Sequence, residues 1–256
     1  EDGRPSAAPE HFAATLPGIA ARTDAVLNLS TGGSATMPLE TRLAGPMAAR
    51  PEMASLNLGT MNFALYPLAE RPRDWRFDWE EPFLRGTDDL VFRNTPRDIA
   101  RILSTFGALG TRFEFECYDT GHLHMLAHMA GRGLAEPPFF LQFVFGVLGG
   151  MAAEPDQLTH MHRTAERLFG DAFAFSVLAA GRQQMPMAAM AAAMGGHVRV
   201  GLEDNLYLDR GRLARSNAEQ VARIREIVER LGRSPATPAE TRRMLGLKGT
   251  DRTAVR

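Results

Sequence analysis

Three charged residues, Arg199, Glu203 and Asp204, lie within six positions of one another in the segment HVRVGLEDN. The first half of this segment reads as a buried strand, where charged side chains are costly unless they are paired or bound to a metal. A guanidinium can orient a carboxylate and stabilise an oxyanion, while a carboxylate can act as a general base or as a metal ligand. The segment therefore predicts a polar site with acid–base or metal chemistry.

A further carboxylate, Glu116, lies in the alternating segment TRFEFECY (111–118), where it shares one strand face with Glu114 and Tyr118. Two interpretations of Glu116 remain open. It is either a carboxylate of the same site or one half of a buried ion pair with Arg199. Both interpretations bring it close to the first three residues.

The segment HLHMLAH (122–128) is the obvious candidate for binding a metal through histidines. His124 and His128 are four residues apart on one face of a predicted helix, a spacing that can bind zinc. No Glu follows the first of them, so the segment lacks the H-E-x-x-H pattern of zinc hydrolases. We therefore expect surface or capping histidines here. His122 or His124 would become metal ligands only if histidines of this chain bind a zinc ion.

The composition is that of an ordinary globular protein. The 256 residues are 45% hydrophobic and 23% charged with a net charge of −1, which is enough chain for one large domain spanning 1–256. The near-zero charge argues against nucleic acid and membrane surfaces, and no apolar run reaches the ~20 residues of a membrane span. The single cysteine, Cys117, cannot form an internal disulfide, which favours a cytoplasmic location.

Strands and helices alternate along the chain. We predict strands at 25–30, 53–59, 111–118, 137–146, 172–181 and 197–205. We predict helices at 6–22, 39–49, 96–109, 120–133, 155–169, 184–195, 216–231 and 237–245. The aromatic segment 62–94 reads as a long loop, and we expect its Trp75, Phe77 and Trp79 to serve a subunit contact rather than a pocket. This order predicts parallel strands joined by right-handed crossovers.

Two architectures fit that order, an open doubly wound sheet and a (β/α)8 barrel. A doubly wound sheet usually carries a phosphate loop, but the chain has neither G-x-G-x-x-G nor G-x-x-x-x-G-K, and STGGS (30–34) is short. Barrels place their chemistry at the carboxyl ends of their strands. Four predicted strands have one polar face, formed by Asn28 and Ser30, Ser55 and Asn57, Glu114 and Glu116, and Arg199 and Glu203. This one-sided polarity favours a barrel whose mouth is a polar pocket.

Several segments occur in an order that resembles one protein family. They are NLSTGG, SLNLGTMNF, FEFECYDTGHL, FVFGVLGGM, the long segment from GRQQMPM through GGHVRVGLEDNLY to SNAEQV, and PATPAETRRMLGL. Together they resemble the β-keto acid cleavage enzymes over essentially the whole chain. The resemblance implies a zinc-dependent (β/α)8 barrel, usually a homotetramer. It also implies a Claisen-type exchange in which a β-keto acid and acetyl-CoA give acetoacetate and a new acyl-CoA.

The resemblance assigns catalytic and metal-binding roles to the residues already noted. It implies that Glu203 is a zinc ligand and that Asp204 is a catalytic carboxylate with Arg199 as its partner. It implies that Glu116 is a carboxylate of the same catalytic site. These roles are chemically reasonable, because an oxygen ligand keeps zinc a strong Lewis acid and an arginine fork can orient a carboxylate.

The resemblance also implies a substrate-binding loop. The STGG turn matches the family's loop for the substrate carboxylate, where Ser30 offers a hydroxyl and Gly33 allows close approach of a backbone N–H. Ser55 matches a second hydroxyl that contacts the substrate. The resemblance therefore predicts that small-molecule β-keto acids bind between the first two strands of this chain.

One departure from the family pattern concerns the metal. The resemblance implies two more zinc ligands in a His-x-His pair on the second barrel strand, and a further active-site glutamate on the first strand. No predicted strand of this sequence matches either of these two strands, and the His-x-His triplets at 122–124 and 160–162 lie on predicted helices. In the family, GRPS follows that second strand within a few residues, and here it occupies residues 3–6. We therefore expect a barrel that lacks its first two strands in this chain, as a fragment of a longer protein, with an incomplete zinc ligand set.

Three functional hypotheses follow. The first is an acetyl-CoA-dependent β-keto acid cleavage enzyme. The second is a truncated, non-catalytic barrel, since one carboxylate cannot hold zinc without its imidazole partners. The third is a metal-dependent carbon–carbon lyase or aldolase that does not use coenzyme A. Metal analysis separates the first two hypotheses, and a test of acetyl-CoA dependence separates the first from the third.

Overall fold

The computed structural model describes residues 2–70 and 74–255. Within them the strands are β1 (Asn28–Ser30), β2 (Met53–Asn57), β3 (Met61–Asn62), β4 (Val91–Phe92), β5 (Arg112–Cys117), β6 (Phe139–Phe145), β7 (Phe173–Ala179), β8 (His197–Val198), β9 (Tyr207–Asp209) and β10 (Arg212–Leu213). The α-helices are α1 (Pro9–Ala20), α2 (Leu39–Ala49), α3 (Glu80–Arg85), α4 (Pro96–Gly107), α5 (Thr120–Gly131), α6 (Pro155–Phe169), α7 (Gln184–Ala193), α8 (Asn217–Arg230) and α9 (Pro238–Leu245).

Six of these strands form one parallel sheet in the order β1-β2-β5-β6-β7-β8. Helices α2, α4, α5, α6 and α7 lie in sequence between successive strands, which is the repeat of a (β/α) barrel. The predicted barrel architecture, with six strands in this chain, is confirmed. No helix in the described residues is long and apolar enough to cross a membrane.

The two faces of this sheet differ as the sequence predicts. The face under the helices is apolar and fully buried, with Leu56, Leu58, Cys117, Leu141, Phe143 and Val177 on the strands and Ile99, Ile102, Phe106, Leu123 and Leu126 on the helices. Burying such a side chain contributes ~1.5–3 kcal/mol to stability. The other face carries Ser55, Asn57, Glu114 and Glu116, which are buried although polar. The helix layer therefore stabilises the sheet, and the opposite face is left for polar contacts.

Helix starts follow the local signals in the sequence. Thr95 and Asp98 form a capping box at the start of α4, and Thr237 and Glu240 form another at the start of α9. Pro96, Pro155 and Pro238 stand in the first turns of their helices, where a missing N–H costs little. These boundaries agree with the predicted helices to within about one residue at their starts.

The last predicted strand, 197–205, is wrong beyond its start. β8 contains only His197 and Val198, and the chain then turns, because the N–H groups of Asp204 and Asn205 both donate to the Gly201 carbonyl at 3.2 and 3.1 Å. Alternating apolar residues continue to Leu202, so the sequence pattern does not reveal where pairing stops. Glu203 and Asp204 therefore lie on a turn past the strand, and the shared strand face predicted for Arg199 and Glu203 does not apply.

The segment 62–94 contains more regular structure than the predicted loop. It includes α3 and the two strands β3 and β4, which pair with each other antiparallel. Residues 71–73 lie outside the described residues. A second antiparallel pair, β9 with β10, follows the turn after β8 and was also not predicted. Strands of two or three residues leave too short a pattern for the sequence to indicate them.

Candidate active site

Arg199 is the centre of the polar face. Its Nε and Nη2 atoms donate to the two carboxylate oxygens of Asp204 at 3.2 and 3.3 Å. Its Nη2 also donates to Glu203 Oε2 at 3.0 Å, and its Nη1 donates to Gln142 Oε1 at 2.9 Å. Glu116 Oε1 lies 3.5 Å from Nη1. The guanidinium thus connects the turn after β8 to strands β5 and β6. Its planar arrangement of several N–H donors allows it to make all these contacts at once.

A second carboxylate on β5, Glu114, lies deeper on the same face. Its Oε1 is 4.0 Å from Arg199 Nη1, and its Oε2 accepts a hydrogen bond from Asn28 Nδ2 at 3.0 Å. Residues two apart on a strand face the same way, which places Glu114 and Glu116 side by side. The sequence showed this shared face but did not single out Glu114 as a site residue.

Burial controls the charges in this cluster. It raises the pKa of Glu114 to about 8, with the negative charge of Glu116 adding to the effect. Burial also raises the pKa of Glu116 and of Asp204, against the opposing pull of Arg199. For Arg199, burial alone would lower the pKa, but the surrounding carboxylates outweigh it and the net shift is upward. The arginine is therefore permanently charged, and Glu114 is largely protonated at neutral pH.

Neighbouring strands hold the cluster in place through their register. Glu116 pairs directly with Gln142 on β6, and Gln142 pairs with Ser176 on β7. Gln142 Nε2 donates to Ser176 Oγ at 3.1 Å, while its Oε1 accepts from Arg199. Tyr118 donates its hydroxyl to Glu116 Oε2 at 3.2 Å. Sequence analysis missed Gln142, although it is the one polar residue in the apolar strand FFLQFVF, and that contrast is a signal.

The predicted substrate loop lies at the carboxyl end of β1. Ser30 is exposed and pairs in register with the buried Ser55 on β2. Ser30 Oγ accepts a hydrogen bond from the Gly32 N–H at 3.1 Å. Gly33 has φ of 56°, and a Cβ there would lie 3.0 Å from Arg42 Cγ. Only glycine fits this turn without strain, so a bare backbone is required at this point of the loop.

Beneath this loop lies a buried cation that sequence analysis missed. Arg42 is 3% exposed, and its Nη2 donates to Asn94 Oδ1 at 2.7 Å. Its guanidinium lies 4.9 Å from the centroid of the Phe92 ring. Asn94 Nδ2 in turn donates to the Asn57 carbonyl at the end of β2. Arg42 thus connects the STGG loop to the carboxyl end of β2.

The histidines of 122–128 differ in burial and in their contacts. His124 and His128 are exposed. His122 is buried, its Nδ1 accepts from the Tyr118 N–H at 3.1 Å, and burial lowers the pKa of its ring. A Cβ on Gly59 would lie 2.3 Å from His122 Nε2, so the ring packs directly on that glycine. These placements agree with capping and surface roles.

The described residues do not fit a complete zinc site. They contain no group of three or more His, Cys, Asp or Glu side chains that could hold a metal ion. Glu203, the predicted ligand, is 84% exposed in its side chain and pairs with Arg199. A tetrahedral zinc site needs three or four protein ligands, and Glu203 supplies one.

The aromatic loop contacts the amino-terminal segment. Trp79 Nε1 donates to the Asp2 carbonyl at 2.9 Å, and the Arg4 guanidinium lies 5.7 Å from the Trp79 ring centroid. Trp79 also packs edge-to-face on Phe83 at 5.9 Å. The predicted subunit contact through this loop stays a prediction.

Comparison with known proteins identifies the family of this chain. The family model described as beta-keto acid cleavage enzyme matches residues 1–247. The chain belongs to this family. It is 53% identical to the 3,5-dioxohexanoate:acetyl-CoA acetone transferase of Paraburkholderia graminis over 253 residues, which is 99% of this chain and 82% of that protein. It is 36% identical to the 3-keto-5-aminohexanoate cleavage enzyme of Acetoanaerobium sticklandii over 96% of this chain and 81% of that protein.

The family prediction is therefore confirmed, and so is the predicted class of β-keto acid cleavage with acetyl-CoA. A solved structure described as "Apo structure of ObcA" supports the fold alone. It matches with a TM-score of 0.71 at 22% identity and covers 93% of this chain. This chain spans about half of that protein, at 54% of its length.

Proposed function

We propose that this protein exchanges acyl groups between a small β-keto acid and acetyl-CoA, giving acetoacetate and a new acyl-CoA. The observation that carries the proposal is the paired contact of Arg199 with Asp204 inside a buried carboxylate cluster, in a chain of this family. The bond between the ketone carbon and the CH2 of the keto acid breaks, and the acetyl carbon takes the place of the ketone carbon. The CoA thiolate leaves the acetyl group and takes up the released acyl group, so atoms and electrons balance.

In this proposal Asp204 moves the proton. The CH2 between the ketone and the carboxylate of a β-keto acid is acidic, because the ketone stabilises the carbanion. Asp204 removes its proton so that this carbon can attack the thioester, and returns a proton to the acetoacetate that leaves. Arg199 orients Asp204 and stabilises the oxyanion that develops. Glu116, held by Tyr118 and Arg199, keeps the guanidinium in position.

Substrate binding is assigned to the loop after β1. Ser30 and the backbone at Gly33 bind the keto acid carboxylate, and Ser55 offers a second hydroxyl from the adjacent strand. The buried guanidinium of Arg42 lies beneath the loop, where its positive charge, partly offset by Asp98, favours binding of an anion. Binding at this loop places the reacting carbon on the face that carries the carboxylate cluster.

Zinc belongs to the proposal only through the resemblance. When bound, it would act as a Lewis acid on the ketone, and Glu203 is the ligand that we assign to it. Elemental analysis of the purified protein tests the assignment. In a preparation that retains zinc, Glu203→Gln should lower the zinc content, because a neutral amide is a poor ligand for a dication. Zinc bound in full by histidines of this chain would contradict the assignment and bring back His122 and His124.

The proposals for location and assembly come from the composition and from the family. One buried thiol, Cys117, fits a reducing cytoplasm, and burial raises its pKa well above the usual value, which makes it unreactive. We propose one barrel domain over 1–256 and a homotetramer. Sedimentation velocity tests the assembly, with a monomer at micromolar concentration as the contradicting result.

The reaction is tested with a panel of β-keto acids. The panel begins with 3,5-dioxohexanoate and 3-keto-5-aminohexanoate, the compounds named for the two relatives. Mass spectrometry should detect acetoacetate and the matching acyl-CoA only when the keto acid and acetyl-CoA are both present. Cleavage without acetyl-CoA would instead support the lyase or aldolase hypothesis. No turnover of any panel member would support the non-catalytic barrel.

A further inference from the structure

Two buried glutamines hold the turn that follows β8. Gln184, at the start of α7, donates its Nε2 to the Gly201 carbonyl at 3.1 Å. Gln220, on α8, donates its Nε2 to the Asn205 carbonyl at 2.5 Å. Both side chains are 0% exposed. The two amides therefore hold the two ends of the 201–205 turn, and Glu203 and Asp204 lie between them.

These glutamines are costly for the fold. The Oε1 atoms of Gln184 and Gln220 have no hydrogen-bond partner in the described part of the chain. A buried polar atom without a partner is destabilising, and most proteins avoid it. A hydrophobic side chain of the same size would fill the Gln184 site without this penalty, whereas at Gln220 it would leave the Asn205 carbonyl without its side-chain donor.

The hydrogen bond from Gln184 is also not needed to satisfy its acceptor. The Gly201 carbonyl already accepts from the N–H groups of Asp204 and Asn205. What the third donor adds is a fixed position for the turn relative to α7. At the other side of the turn, the Gly181 N–H donates to the Asp204 carbonyl at 2.8 Å, so the backbone of Asp204 is held as well.

We propose that Gln184 and Gln220 are positioning residues for the reaction, which hold the 201–205 turn so that Asp204 faces Arg199 and the substrate. This inference rests on the proposed role of Asp204. The glutamines touch neither substrate nor reacting atoms. They act by fixing the distance between the carboxylate and its arginine, and small errors in such distances are costly in rate.

The test replaces each glutamine by methionine, which has nearly the same size and no donor. Gln184→Met should lower kcat by about tenfold or more. The KM for the keto acid should stay within about twofold. The substrate loop follows β1, at the end of the sheet farthest from β8 and its turn. The melting temperature should not fall, since the change removes an orphaned oxygen and leaves the Gly201 carbonyl with two donors. Gln220→Met should also lower kcat, and here the melting temperature should fall as well, because Gln220 Nε2 is the donor to the buried Asn205 carbonyl.

Gln183→Met is the matched control. Gln183 is the neighbour of Gln184 in the chain, and its Nε2 donates to the Ala153 carbonyl at 3.4 Å, away from the turn. Its kcat should equal that of the wild type. An active wild type with unchanged kcat in Gln184→Met and Gln220→Met overturns the inference. So does a loss of activity in Gln184→Met that merely follows a lowered melting temperature. An inactive wild type overturns the proposed function itself.

Discussion

At the scale of single residues, the site depends on one arginine that faces four carboxylates. The carboxylates differ in exposure, from 84% for the side chain of Glu203 to 8% for that of Glu114. The exposed one lies in contact with water, while the buried one is stable only when it is neutral or paired. The protein therefore carries a protonated acid, Glu114, beneath the groups that we assign to catalysis.

A first prediction concerns the pH dependence of stability. The pKa of Glu114 rises on folding from about 4.5 to about 8, so the folded protein holds this proton more tightly than the unfolded chain does. The stabilisation that this bound proton contributes is complete below the pKa of Glu114 in the unfolded chain, and it is lost as the pH rises toward 8. The glutamine in Glu114→Gln cannot ionise. The unfolding free energy of the variant minus that of the wild type should therefore increase by on the order of 1–3 kcal/mol from about pH 5 to about pH 8.

Urea denaturation of both proteins across this pH range measures the difference. Glu226→Gln, at an exposed position on α8, is the control and should show no such trend. If the difference in unfolding free energy between Glu114→Gln and wild type does not change with pH, Glu114 does not have a raised pKa in the folded protein.

A second prediction concerns Arg199. Arg199→Lys keeps the charge but loses the planar fork that bonds both oxygens of Asp204 and also reaches Gln142. We expect kcat to fall by about 10²–10³-fold, the usual cost of losing a preorganised donor. Steady-state kinetics with a turned-over keto acid measures this loss. Arg225→Lys, in an exposed ion pair with Glu229, should be unchanged. A kcat within about twofold of wild type in Arg199→Lys would make the contact structural only.

At the scale of elements, an ion pair ties α9 to the amino-terminal end of β2. Arg242 donates to both carboxylate oxygens of Glu52 at 2.8 and 2.9 Å, and Thr250 Oγ1 lies 3.1 Å from Glu52 Oε1. The Glu52 side chain is 3% exposed. This contact lies at the end of the sheet opposite the candidate site, so it stabilises the fold without touching the chemistry.

A third prediction follows for stability. Arg242→Met leaves the Glu52 carboxylate buried without its partner, and breaking such a pair typically costs about 3–5 kcal/mol. Because Arg242 is partly exposed, we expect about 2–3 kcal/mol. Chemical denaturation measures it. Arg243→Met, at the exposed neighbouring position, should change stability by about 0.5 kcal/mol or less. Equal losses in both variants would contradict the ion-pair account.

The elements also show how far the sequence could predict this site. Two-residue alternation in β5 predicted that Glu114 and Glu116 share a face, because that period belongs to the strand itself. The contact of Gln142 with Arg199 depends on the register of β5, β6 and β7, which no single segment specifies. The end of β8 was missed for the same reason, since only the turn at Gly201 stops the pairing. The family resemblance supplied the roles that spacing alone left open.

At the scale of the whole molecule, the chain is a parallel sheet with helices on one face and a polar cluster on the other. Within the described residues, β1 and β8 are the two ends of this sheet. The predicted two further strands and the histidine ligands of zinc stay predictions. The polar cluster contains the groups that proton transfer needs, and we propose Asp204 as the base with Arg199 as its partner.

The most direct test of this account is the kcat of Asp204→Asn, measured as acyl-CoA formation from a turned-over β-keto acid and acetyl-CoA. The substitution keeps the size of the side chain and removes the base. Since general base catalysis contributes ~10²–10⁴-fold, kcat should fall by that order, with the fold unchanged. A kcat equal to that of the wild type would remove Asp204 from the mechanism and leave the Arg199 cluster a structural feature of the sheet.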